Sequence, residues 1–158
     1  MLRLRIQKKK AKATVINKNA MLKNLETDLL SKGIRPTAMR LLVFDYLLHQ
    51  KSAVSLNDLE VNFEKSDRIT LYRTIKTFQE KGLVHQIDDG TTSVKYALCS
   101  SNCSAQVCLD LHLHFYCRKC DKTFCLPKTR VPEIQLPEQY QAEEINLTVK
   151  GLCSNCTQ

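Results

Sequence analysis

Two cysteine pairs, Cys117-x2-Cys120 and Cys153-x2-Cys156, constrain this chain more than any other feature. Each pair fits a turn that aims two sulfurs at one point. Four thiolates complete a tetrahedral zinc shell at about 2.3 Å per bond. A shell closed by sulfur leaves no open position for a substrate, so the site reads as structural. A small domain built on it draws folding free energy from the ion. The 32 residues between the pairs exceed an ordinary zinc ribbon, and a strand and a helix would fill them. Disulfides are the rival use of eight cysteines. The opening "MLRLRIQKKKAKATVINKN" lacks a secretory leader's apolar stretch, which favours metal thiolates and a cytoplasmic protein.

The stretch "HLHFYCRKC" adds two histidines just ahead of the first pair. Residues two apart on a strand share a face, so His112 and His114 can reach a common ion. The four sulfurs already complete one site, so the imidazoles are assigned to a second. "LHLHFYC" and "KTFCL" read as the strands of a hairpin around "RKCD", and "YQAEEINLTVKGLC" reads as a final strand.

Charge divides the chain. The net +8 arises ahead of residue 87, where 17 Lys+Arg face 8 Asp+Glu; beyond it 7 face 8. This asymmetry points to a polyanion-binding module followed by a neutral one. Residues 1–18 form a basic arm without apolar period. Four helical stretches follow: "NAMLKNLETDLLSKG", "RPTAMRLLVFDYLLHQ", "SLNDLEVNF" and "SDRITLYRTIKTFQEKG". In the second, Leu41, Phe44 and Leu48 make the expected apolar stripe. Ser55 and Asp58 form a capping-box pattern for the third. In the fourth, Leu71, Ile75 and Phe78 face inward. Its other face offers Thr70, Arg73, Thr74 and Thr77, with Arg68 and Lys76 nearby, to phosphates and base edges. "LVHQIDDGTTSVKYAL" then reads as strand, Asp-Gly turn, strand. Short helices followed by a hairpin make a winged helix-turn-helix, with "RITLYRTIKTF" entering the groove of double-stranded DNA. No stretch approaches the roughly 20 apolar residues of a membrane span.

Taken together, "GIRPTAMR", "SDRITLYRTIKTFQEKGLVHQI", "HLHFYCRKC" and "LTVKGLCSNC" resemble the ferric uptake regulator family of bacterial metal-sensing repressors, in the family's own order from about Asn19 to Cys156. The resemblance implies an α+β homodimer. Residues 1–18 would be the arm, 19–98 the winged helix-turn-helix domain, 99–110 a hinge, and 111–158 a small α/β dimerisation domain carrying the structural zinc. The family's structural zinc falls on Cys117, Cys120, Cys153 and Cys156. Its DNA-reading tyrosine and arginine fall on Tyr72 and Arg73. Its regulatory ion, lying between the domains, falls on His85, Cys99, His112 and His114. One sulfur and three nitrogens favour Zn2+, with Fe2+ or Mn2+ as alternatives. A hinge cysteine resembles the zinc uptake regulator branch.

The chain departs from the family pattern in two places. Leu113 stands where many relatives carry an acidic residue of a further metal site, which removes support for a third ion. The hinge "CSSNCSAQVCLDL" is long, and Cys103 or Cys108 could substitute for Cys99 or sense oxidants. The plainer reading of Cys103, Cys108 and Cys125 is surplus thiols.

The expected function is a metal-dependent repressor of metal-uptake genes, zinc-responsive, binding a pseudo-palindromic operator. An iron- or peroxide-responsive repressor is the alternative. A metallohydrolase would need a general base beside the ion, and only Asp110 lies near the histidines. Nucleotide loop, nucleophile elbow and HExxH are all missing, so an enzyme is not expected. A zinc-ribbon adaptor that binds protein or RNA would be insensitive to added metal.

Overall fold

The apolar periodicity of the basic half builds a helical core flanked by one small sheet, and the cysteine-rich half builds a second sheet. A computed structural model describes residues 21–99, 112–142 and 145–157. The basic arm and the hinge cysteines Cys103 and Cys108 lie outside the described residues.

The described part of α1 spans 21–31. It is followed by α2 (Ala38–Leu48), β1 (Val54–Ser55), α3 (Leu56–Asn62), α4 (Arg68–Glu80), β2 (Val84–Ile87) and β3 (Lys95–Leu98). Thr37 caps α2, and Ser55 caps α3 through the expected box with Asp58. Such caps satisfy orphan backbone donors and contribute about 1 kcal/mol each. Asp67 caps α4 by accepting from the Thr70 N–H at 2.8 Å. Gly82, at φ +64°, closes α4 as the Leu83 N–H donates to the Phe78 carbonyl, a Schellman-type ending.

The core joins Leu25 and Leu29 of α1, Val43, Phe44 and Leu47 of α2, Leu59 of α3 and Leu71, Ile75 and Phe78 of α4. Leu83 and Val84 belong to the same cluster. Phe44 and Phe78 meet edge to face, with ring centroids 6.3 Å apart. The stripe of α2 is shifted from the expected one: Phe44 is buried, Leu41 is partly buried, and Leu48 stays exposed while Val43 and Leu47 pack inward.

β1, too short to stand out in the sequence, pairs with β3, giving the antiparallel order β1-β3-β2. The second sheet contains β4 (Leu113–Cys117), β5 (Thr123–Leu126) and β6 (Thr148–Gly151) in the order β5-β4-β6. β4 pairs antiparallel with β5 and parallel with β6. A parallel pair needs a long crossover. The sequence leads one to expect a helix in it, but the described residues between β5 and β6 form none. Pro127, Pro132 and Pro137 interrupt that segment, and each lacks the N–H that a helix interior requires. No helix among the described residues is long and apolar enough to cross a membrane.

Candidate metal centres and DNA-facing helix

The tight turn after β4 and the turn after β6 bring the two cysteine pairs together because Cys117 lies opposite Gly151 in the parallel ladder. The Asp121 N–H donates to the Cys117 carbonyl and the Cys156 N–H to the Cys153 carbonyl, folding each C-x-x-C back on itself. The ligand atoms of Cys117, Cys120, Cys153 and Cys156 all lie within 4.8 Å of one another. The Cys120 and Cys153 sulfurs are 3.8 Å apart. A tetrahedron with bonds of about 2.3 Å has edges of roughly 3.8 Å, so the spacing fits zinc.

Protonation states favour the same conclusion. The Cys153 backbone N–H bonded to Cys117 holds that thiol down to about 6. Sharing a proton with Cys153 pushes Cys156 up to about 12. Four sulfurs this close cannot all ionise against one another without a cation between them. The cluster therefore fits a structural zinc site.

The second cluster draws on both sheets. His85 comes from β2, His112 from the residue before β4, His114 from β4 and Cys125 from β5. Their ligand atoms also lie within 4.8 Å of one another, and both His112 and His114 are buried. His85 Nε2 is 3.2 Å from His114 Nε2 and 3.5 Å from Cys125 Sγ. The His112 ring stands nearly perpendicular to that of His85, with centroids 4.9 Å apart.

Burial, followed by the charge of His112, lowers His114 to about 4, so its imidazole is neutral near pH 7. A contact with the Leu147 carbonyl opposes that shift. A ligating histidine commonly turns its second ring nitrogen to such a carbonyl. Chemistry and spacing thus fit a borderline-soft divalent metal.

Of the four residues expected to hold the regulatory ion, three are in this cluster. Cys99 lies on the opposite side of the His85 ring, its sulfur 3.7 Å from Nδ1. Cys125, read as a surplus thiol, stands among the imidazoles instead. A signal for it existed: closing the hairpin over "RKCD" with Tyr116 against Thr123 sets His114 opposite Cys125.

On α4 the structure sorts the expected DNA contacts. Arg68, Thr70, Tyr72, Arg73 and Lys76 are exposed. Arg68 is ion-paired with Glu60 of α3. Thr77 is half-buried, donating to the Arg73 carbonyl at 2.9 Å and accepting from Arg40 at 3.3 Å. Thr74 departs from the expectation: it is buried, and its hydroxyl donates to the Thr70 carbonyl at 2.9 Å. It occupies the i+3 place between Leu71 and Ile75, inside the apolar stripe.

A winged helix joined to a cysteine-clamped sheet, with a second ligand cluster between them, defines a DNA-binding metalloprotein. The model of the Ferric uptake regulator family matches residues 31–150. The Peroxide operon regulator of Bacillus subtilis is 26% identical over 141 residues, 84% of this chain and 90% of that protein. A solved zinc uptake regulator complexed with zinc and DNA superposes with a TM-score of 0.60 at 20% identity, covering 88% of this chain and 94% of its own. The Vibrio cholerae ferric uptake regulator gives 0.55 at 18%, covering 81% and 98%. The chain belongs to the ferric uptake regulator family. It is a metal-responsive, DNA-binding transcriptional regulator of a dimeric kind, and not an enzyme.

Proposed function

We propose that the protein is a zinc-responsive repressor of metal-uptake genes, acting in the cytoplasm as a homodimer on a pseudo-palindromic operator. The observation that carries this reading is the meeting of His85, on the strand after the DNA-facing helix, with His112, His114 and Cys125 of the second sheet. Three imidazoles and a thiolate suit zinc better than hard-ligand ions. Zinc held there would supply bonds joining the wing to the C-terminal sheet.

The chain's own residues do the rest. Burial keeps His114 neutral and its lone pair available. The sulfur ligand is assigned to Cys125, with Cys99 behind His85 as the alternative donor from the hinge. The chain is divided at 19–98, 99–110 and 111–158, a reading supported by the separate sheets β1–β3 and β4–β6. Tyr72 and Arg73 reach base edges, while Arg68, Thr70 and Lys76 serve phosphates. Two α4 helices held at one separation can engage two half-sites together, which loose wings cannot.

The test is a titration of dimer that retains its four-sulfur zinc. Zinc, ferrous iron and manganese are added separately, and affinity is read for DNA selected from a random pool. Zinc should tighten binding at the lowest free concentration. An operator affinity indifferent to all three metals would sink the proposal. An iron- or peroxide-responsive repressor is the second reading, favoured by the likeness to the Bacillus subtilis Peroxide operon regulator. Under it, ferrous iron would be the best corepressor and hydrogen peroxide would release the DNA.

A further inference from the structure

A second junction between the wing and the C-terminal sheet uses no ligand residue. Lys95 opens β3 and lies 8% exposed; Asp89, in the wing turn, is 1% exposed; Thr123, opening β5, is fully buried. The Lys95 ammonium meets Asp89 Oδ2 at 2.8 Å, the Asp121 carbonyl at 2.9 Å and Thr123 Oγ1 at 3.1 Å. Its three N–H groups therefore have three acceptors. The Thr123 hydroxyl donates to the same Asp89 oxygen. The other Asp89 oxygen accepts from the Thr91 N–H at 3.0 Å and from the Thr91 hydroxyl.

Tyr116 completes the enclosure, its ring 4.8 Å from the Lys95 ammonium and its hydroxyl donating to Asp121 at 2.7 Å. Burial by itself would raise Asp89, but its bonds from Lys95, Thr123 and Thr91 bring it down to about 2. A buried ion pair stabilises a fold only when its remaining donors and acceptors are matched in this way. The Ala53 N–H also crosses the junction, donating to the Thr123 carbonyl at 2.7 Å.

This network adjoins the histidine cluster. Tyr116 pairs with Thr123 and His114 with Cys125, two rungs of one ladder on one face of the sheet. On the wing, Lys95 pairs with Ile87, two residues from His85. An error in docking the Asp89–Lys95–Thr123 contact is thus an error in the distance from His85 to His114.

We propose that Asp89, Lys95 and Thr123 form a metal-independent clamp that docks the wing on the C-terminal sheet and positions His85 for the regulatory ion. The part concerning the ion rests on the reading of the His85 cluster as the regulatory site; the docking part does not. In this arrangement the clamp sets where the wing docks, and the ion, by bonding His85 to the second sheet, holds the wing there against opening.

Lys95→Met, Thr123→Val and Thr123→Ser test it in chelator-treated dimer that keeps the four-sulfur zinc. The first readout is NMR-detected exchange of the Ala53 amide, protected only while the junction is closed. The second is zinc affinity at the remaining site, by competition with a chromophoric chelator. Lys95→Met leaves a buried carboxylate, so the near-isosteric Thr123→Val serves as the milder variant. Both should speed Ala53 exchange and weaken zinc binding by about 10- to 100-fold, the range seen for outer-shell partners. Thr123→Ser should restore both. Unchanged exchange and affinity in Lys95→Met and Thr123→Val would overturn the clamp. A wild-type protein that binds no second ion, but whose Ala53 amide is freed by Thr123→Val, would leave the clamp standing and remove the regulatory-site reading instead.

Discussion

At the scale of single residues, the sulfur in the second cluster separates two thiols that look alike in sequence. Cys125 faces the nitrogen that His85 turns toward His114, and Cys99 faces the other one. One imidazole nitrogen would ligate an ion bound in the cluster while the other takes a supporting contact. Cys125→Ser is therefore expected to weaken zinc at this site by at least about tenfold, and Cys99→Ser to change it by only a few-fold. Isothermal titration of the two variants decides the assignment, and the reverse order would restore Cys99 as the ligand. His112, His114 and the paired cysteines were legible because their spacing is local, whereas His85 was reached only through the family resemblance. Cys125 was less legible, since its role depends on which strand lies opposite and in which register. Asp89, Lys95 and Thr123 were not legible at all. An Asp-Gly turn, a strand-opening lysine and a threonine carry no joint signal until the two sheets meet.

At the scale of elements, α4 shows how a helix divides its faces. Leu71, Thr74, Ile75 and Phe78 follow the i, i+3, i+4, i+7 rule and are buried. Thr74 was placed on the outer face by its hydroxyl chemistry, whereas its position in the period already assigned it inward. Thr74→Val should leave DNA affinity within about twofold, since the change stays in the core. Arg73→Ala should cost about 1–3 kcal/mol of binding if it reads a base edge. Gel shifts on one DNA fragment, with circular dichroism to check folding, measure both. The helices themselves were readable from caps and stops, as the Ser55–Asp58 box and Gly82 show. The stripe of α2 was not, because Leu41, Leu42, Val43, Leu47 and Leu48 crowd every face with apolar candidates. Of these, Val43 and Leu47 are the ones buried in the core shared with α3 and α4.

At the scale of the whole molecule, the described C-terminal half has a three-stranded sheet and few buried apolar side chains, whereas the large core lies entirely in the winged helix. Its integrity must come from the four sulfurs more than from a core. Exhaustive removal of metal by a strong chelator in native buffer should abolish the β4–β6 pairing while the helical half keeps its circular dichroism, and readded zinc should restore the sheet. A C-terminal half that stays folded without metal would contradict this.

The Schellman turn at Gly82 has a mechanical outcome for the whole regulator. Only four residues separate Glu80 from His85, and Leu83 and Val84 share a core with Leu71, Ile75 and Phe78. Helix and strand therefore move as one lever, hinged near its short end. The thirteen residues of α4 extend about 20 Å, so a tilt of about 5° at the histidine swings the far tip by roughly 2 Å. That is enough to carry a side chain into or out of hydrogen-bonding range of a base.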